Sequence, residues 1–239
     1  MFCTALILLV AAAGAVCAET RERHVVHELS NDALLRARER SESDVMRHTS
    51  NAIGGDVDAQ WKMALYHYAT GLYLAQRDPP DTRTETLHFR AARLWWQMLY
   101  AQHDDASAAF NLGVLFWSGR GMTKDESMAI AWFLQAAERE HALALFVLGE
   151  YHYFELDDTA QAFAYWTRAA AAGHAEAQFN CGSLFTNTVG LPHRPDWSKA
   201  MMYFRMAAEQ NHTRAQKALD KFKDPCESEI FAHFCEKRA

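Results

Sequence analysis

The sequence predicts an all-α protein: an α-solenoid of about three to four antiparallel helix-pair repeats, with a polar N-terminal helix and a C-terminal capping helix. Two observations point there. One amphipathic segment occurs three times along the later part of the chain, and a second, shorter segment occurs before each copy. Self-similarity at a nearly fixed period marks stacked supersecondary units.

The first recurring segment is AWFLQAAEREHA from Ala131, AYWTRAAAAGHA from Ala164 and, more loosely, MYFRMAAEQNHT from Met202. Each copy sets apolar or small residues at i, i+3, i+4, i+7 and i+8. They are Ala129, Trp132, Phe133, Ala136 and Ala137, then Ala162, Tyr165, Trp166, Ala169 and Ala170, then Ala200, Tyr203, Phe204, Ala207 and Ala208. This spacing lays the side chains along one stripe of an α-helix, wide enough to bury against a neighbour. It defines the second helix of each repeat.

The first helix recurs as ASAAFNLG from Ala106, ALALFVLG from Ala142 and AEAQFNCG from Ala175, so that Phe110, Phe146 and Phe179 coincide, as do Gly113, Gly149 and Gly182. A glycine inside a helix costs about 1 kcal/mol relative to alanine, so something must offset it. The expected compensation is close approach of the partner helix, with the glycine facing the alanine pair at 136 and 137 and its counterparts.

Turn residues separate the helices: SGRGMTKD at 118 to 125, LDD at 156 to 158 and TVGLPHRPD at 188 to 196. Asp125, Asp158 and Asp196 stand just before the second helices as N-caps, and Asp158 with Gln161 forms a capping-box pattern. After the second helices come His141, Gly173-His174 and Asn211-His212, where Gly and Asn suit the left-handed conformation that ends a helix. Glu140 departs from that composition.

These residues carry a resemblance. Ala106, Phe110, Leu112-Gly113, Gly119-x-Gly121, Asp125, Ala129, Trp132-Phe133 and Ala136-Ala137, with their counterparts, resemble the Sel-one-like repeat (SLR) family, a subclass of the tetratricopeptide-type α-solenoids. A divergent copy is expected at 58–104, its second helix marked by Leu94-Trp95-Trp96 and by Thr82-x-x-Glu85, with Tyr66 and Tyr68 near where the pattern wants Gly and Leu. The three clearer copies occupy 105–220. Residues 19–57 read as a polar helical segment before Gly54-Gly55. The tail 221–239, with Phe222, Ile230, Phe231 and Phe234, reads as a closing helix, since repeat arrays need capped ends.

Residues 1–18 form an apolar run with Val16 and Ala18 at the positions a signal peptidase reads, giving a signal peptide cleaved after Ala18 or, without a basic start, a retained anchor. Removing it leaves Cys181, Cys226 and Cys235, an odd set and so no full disulfide framework. Cys226 and Cys235 pair only if the tail turns back. A secretory route makes Asn211-His212-Thr213 a glycosylation acceptor; otherwise Asn211 simply ends a helix.

Several chemistries are set aside. The formal net charge of −6 leaves no basic stripe for nucleic acid. Gly119-x-Gly121 with Lys124 follows a helix, which makes it a turn rather than a phosphate loop. His24, His27 and Glu28 are the nearest approach to a ligand set, with no second cluster, so no metal and no cofactor are expected. No spacing is diagnostic of catalysis. Cysteine-rich bacterial members of the family are linked with β-lactam binding or hydrolysis and carry a cysteine pair in every repeat; this chain lacks those pairs.

The expected function is a non-catalytic adaptor or scaffold of the secretory pathway, in the ER lumen or secreted, or periplasmic if bacterial. It would bind a partner protein on the face lined by the first helices. The resemblance includes the luminal adaptor of an ER-membrane ubiquitin ligase. The alternatives are a structural subunit held in a membrane complex by an uncleaved leader, and a hydrolase like the cysteine-rich relatives. Positions that vary between repeats beside the fixed stripe are the candidate contacts: Asn111, Val114 and Trp117; Val147, Glu150 and Tyr153; Asn180 and Ser183. Trp117 and Tyr153 are either aromatic anchors or the last residues of the inter-repeat core.

Overall fold

The computed structural model describes residues 42–76, 81–186, 191 and 195–222. The leader, His24, His27 and Glu28, the cysteines at 226 and 235 and the apolar residues of the expected closing helix from Ile230 to Phe234 lie outside the described residues. Ten helices and no strand are found among the described residues. Each helix is followed by a neighbour in the chain, in the helix-pair order of an α-solenoid repeat fold.

The chain divides into two compact units, 1–136 and 137–239. The first holds α1 (Glu42–Ile53), α2 (Val57–Ala75), α3 (Thr82–His103), α4 (Ala106–Ser118) and most of α5 (Glu126–Glu138). The second holds α6 (Ala142–Phe154), α7 (Thr159–Ala171), α8 (Ala175–Thr186), α9 (Trp197–Glu209) and α10 (Thr213–Phe222).

Helix starts follow one rule. Every second helix is capped by aspartate, whose Oδ1 accepts a backbone N–H three residues on: Asp81 from Thr84, Asp125 from Met128, Asp158 from Gln161 and Asp196 from Lys199, at 2.9 to 3.1 Å. The Lys199 N–H holds the Asp196 carboxyl below its ordinary range. First helices begin with Asp56 and Asp105 in the first unit. In the second they begin with histidine: Nδ1 of His141, His174 and His212 accepts from Ala144, Ala177 and Ala215 at 3.2 to 3.3 Å. The residue just before each of these five caps has positive φ: Gly55, Asp104, Glu140, Gly173 and Asn211. Glu140 thus keeps the left-handed turn that its residue type disfavours, at φ 56°. Arg168 of α7 crosses to this turn, donating from Nη2 to Glu140 Oε1 and to the Ala137 carbonyl, at 2.8 and 2.7 Å.

The helix pairs close on aromatic rings, which corrects the expected glycine–alanine facing. A Cβ at Gly113 would lie 2.5 Å from the Phe133 ring, at Gly149 2.4 Å from Trp166, and at Gly182 2.7 Å from Phe204. Glycine is required because the ring occupies the volume of the missing side chain. Alanine contributes through its backbone: the Ala129 and Ala200 carbonyl oxygens stand 3.2 Å from the same points.

The same lock sets the register of the first pair. Gly71 faces Phe89 at 2.9 Å, and Phe89 stands as far beyond Asp81 as Phe133 stands beyond Asp125. His88-Phe89, not Leu94-Trp95-Trp96, are therefore the counterparts of Trp132-Phe133. The cap is Asp81, not Thr82, and Gly71 takes the glycine position that Tyr66 and Tyr68 seemed to have displaced. The mismatch arises from length: α2 and α3 have 19 and 22 residues, against 13 in α4 and α5. The added turns bury Met63, Trp96 and Leu99. Trp96 and Leu99 join Tyr68, Phe89, Ala108, Leu112 and Leu115 in the core of the first unit. Helix α1 packs on this pair through Ala52 and Val45 against Ala59, Met63 and Tyr66.

Gly119 and Gly121 form a turn, as expected. Both have positive φ, and the Arg90 guanidinium donates from Nε to the Gly121 carbonyl at 3.1 Å. At the far end of the second unit α10 runs through 221 and 222, past the expected boundary at 221. Its cap, His212, and its buried Ala215 repeat those of α6 and α8, so α10 has the register of another first helix.

Candidate functional site

The expected contact rows fall apart on burial. Val114 is 3% exposed, Val147 8% and Glu150 7%, so these three belong to the packed interior. The physical reason lies in α6, where every residue from Leu143 to Glu150 is buried: a helix covered on all sides has no free row, and positions can vary between repeats because their cover varies. Asn111 is half-buried, with Nδ2 donating to the Ser107 carbonyl at 2.9 Å. Trp117 is half-buried against Phe133, ring centroids 6.4 Å apart, with the Lys124 ammonium 5.4 Å above it. Tyr153 lies 5.2 Å from Trp166 and remains 37% exposed, beside exposed Phe154. Both aromatics thus touch the ring that fills the glycine gap.

Asn180 and Ser183 remain half-exposed on α8, one and two turns beyond Glu176. From the start of the same helix the second unit assembles a polar cluster. Glu176 Oε2 lies 2.6 Å from His212 Nε2, and Glu176 Oε1 is paired with the Arg214 guanidinium. Arg214 also lies over the Phe179 ring, 4.7 Å from its centroid. His212 itself stacks on Phe179 at 5.1 Å. The imidazole and the guanidinium therefore share one aromatic ring and one carboxylate, with Glu150 near enough to favour the charge on Arg214 against the effect of burial.

His212 is held in its neutral form. Burial lowers its pKa, against a backbone hydrogen bond that raises it, and its bonds agree: Nδ1 accepts the Ala215 N–H, so the proton sits on Nε2 and is donated to Glu176. The Arg214 side chain is 60% exposed, which leaves a fixed cation facing solvent at the start of α10.

Glu176, Phe179, His212 and Arg214 were not among the expected contacts. A signal was present. Counting from each cap, the position of Glu176 and Arg214 is Ser107 in α4 and Leu143 in α6, so it varies as freely as the rows that were chosen. What the sequence hides is that the histidine cap brings α10 back onto α8.

Cys181 is buried, and burial pushes its thiol up to about 12, which keeps it protonated. Among the described residues no three His, Cys, Asp or Glu side chains converge as a ligand set.

Comparison with known proteins identifies the repeat. The Sel1 repeat model matches at 57–81, 106–141, 142–174 and 175–212. A chitin synthase regulator, SKT5, of Malassezia restricta is 30% identical over 122 residues, which cover 48% of this chain and 8% of that protein. The chain thus spans a small fraction of that relative's length. Among solved structures, a Sel1 repeat protein from Oxalobacter formigenes is 29% identical, covering 51% of this chain and 92% of its own, with a TM-score of 0.48. A protective antigen of uropathogenic Escherichia coli displaying an SLR fold aligns over 75% of this chain and 44% of its own, with a TM-score of 0.52 at 17% identity, a likeness of fold. Matched by the repeat model over more than half of its length, the chain belongs to the Sel1 repeat family.

Proposed function

We propose that the chain is a non-catalytic adaptor or scaffold of the secretory pathway that binds a partner protein on the first-helix face of its second unit. Sel1 repeat proteins are typically interaction modules without catalysis, and the family suggests protein partners. The observation that carries the reading here is Arg214, exposed, paired with Glu176 and backed by Phe179. Arginine and aromatic side chains dominate interface energies, and an anchor already fixed in place loses little entropy on binding. Asn180 and Ser183 extend the contact along α8.

Affinity capture from secretory fractions tests this with the wild type and Arg214→Ala side by side. A partner recovered by the wild type and depleted by the variant supports the reading; equal recovery removes the site, and recovery of nothing removes the adaptor. The intact mass of the mature chain separates the structural-subunit alternative, since a start at Glu19 leaves no anchor. Among the described residues no helix is long and apolar enough to cross a membrane. Turnover of nitrocefin would restore the hydrolase reading.

A further inference from the structure

Away from that cluster, in the first unit, α2 and α3 bring two imidazoles together. His67 Nδ1 and His88 Nδ1 are 3.0 Å apart, with ring centroids at 5.1 Å and planes inclined by 45°. No motif announces the pair, since 21 residues separate its members. We propose that His67 and His88 form a binding site for a divalent transition-metal ion, copper(II) or nickel(II), coordinated through both Nδ1 atoms.

The spacing suits a cis pair of ligands. At an imidazole–metal distance of about 2.05 Å, nitrogens 3.0 Å apart subtend about 95° at the metal. That is a cis angle of square-planar or octahedral coordination, which suits copper(II) and nickel(II), and it is narrower than the roughly 109° of tetrahedral zinc. The packing fixes both ligands before an ion arrives. His88 adjoins Phe89, fully buried and seated over Gly71, and His67 adjoins Tyr68, which is 3% exposed. Tyr66 sets its ring edge-on to both imidazoles, 5.2 Å from His67 and 6.3 Å from His88.

Without metal, one Nδ1–H donates to the other Nδ1; moving that proton to Nε2 of the same ring frees both lone pairs with no net proton release. With no third ligand of the His, Cys, Asp or Glu type converging among the described residues, water fills the other positions.

The test titrates the full chain, first treated with chelator, with copper(II) or nickel(II) chloride by calorimetry. Three proteins are compared: wild type, H67Q/H88Q and, because His24 and His27 also carry ligating nitrogens, H24Q/H27Q. The expected result is one binding event present in wild type and H24Q/H27Q and weakened roughly tenfold or more in H67Q/H88Q. An unchanged titration in H67Q/H88Q overturns the proposal. Should H67Q/H88Q fail to fold, electron paramagnetic resonance of H24Q/H27Q with one equivalent of copper(II) decides. Splitting from two imidazole nitrogens is expected, and a spectrum lacking it overturns the site.

Discussion

The ring of His174 lies stacked on Phe146, centroids 4.3 Å apart and planes 24° from parallel, while its Nδ1 accepts the Ala177 N–H. One side chain therefore starts α8 and fastens it to α6. His212 repeats the device on Phe179 and Ala215 at the start of α10. Aspartate, used before every second helix, can cap but cannot stack, whereas the histidines at 174 and 212 do both.

The two roles separate by substitution. His174→Asp keeps a capping oxygen and loses the ring; His174→Ala loses both. Aspartate is expected to cost about 0.5–1.5 kcal/mol for the lost stacking, and alanine about 1 kcal/mol more for the lost cap. Urea denaturation near pH 7.5 measures both, and equal losses would show that capping contributes nothing.

Gly149→Ala drives a methyl into Trp166. A loss of about 1–3 kcal/mol is expected from overpacking. Trp166→Leu removes the obstacle, so the double variant should lose less than the two single variants together. Additive losses in the double-mutant cycle would mean that the glycine and the ring do not share one volume.

The fold was legible because its punctuation is chemical. Asp125, Asp158 and Asp196 could be assigned as caps from type and position alone, and all three accept the predicted N–H. The glycines could be located but not explained, because a sequence shows that Gly149 recurs and not that Trp166 fills its place. The first pair was misregistered since α2 and α3 carry extra turns, and Trp95-Trp96 offered an aromatic pair as plausible as His88-Phe89. Of the expected contacts, Asn180 and Ser183 stay half-exposed, whereas Val114, Val147 and Glu150 were chosen for variability that reflects what covers them. Arg214 reaches Phe179 and Glu176 only through the turn at Asn211 and His212, a tertiary relation that one helix's periodicity does not contain.

Acidification acts on His212. Its folded pKa lies below the unfolded value of about 6.5, so the unfolded chain binds the proton more readily. Its contribution is complete above that pH and declines as pH falls through the window beneath it. Protonation of Nδ1 ends the acceptance from Ala215, although the contact with Glu176 persists. His212→Asn retains a cap without a titrating group. Its stability should fall less steeply than that of the wild type below about pH 6.5, and parallel curves would contradict the assignment.

Cys181 should resist alkylation in the native state. With the thiol pushed up to about 12 and the side chain fully buried, its modification by iodoacetamide at pH 8 is expected only on unfolding. Peptide mapping by mass spectrometry reads this residue separately from the other cysteines. Rapid native labelling of Cys181 would mean that α8 opens readily.

The central claim is that a partner protein lands on α8 and the start of α10. Hydrogen–deuterium exchange on the captured complex tests it most directly, comparing each peptide with and without the partner. The account predicts new protection concentrated in peptides spanning Glu176 to Ser183 and His212 to Arg214. Protection confined to the second helices α7 and α9, with α8 and α10 unchanged, would contradict it.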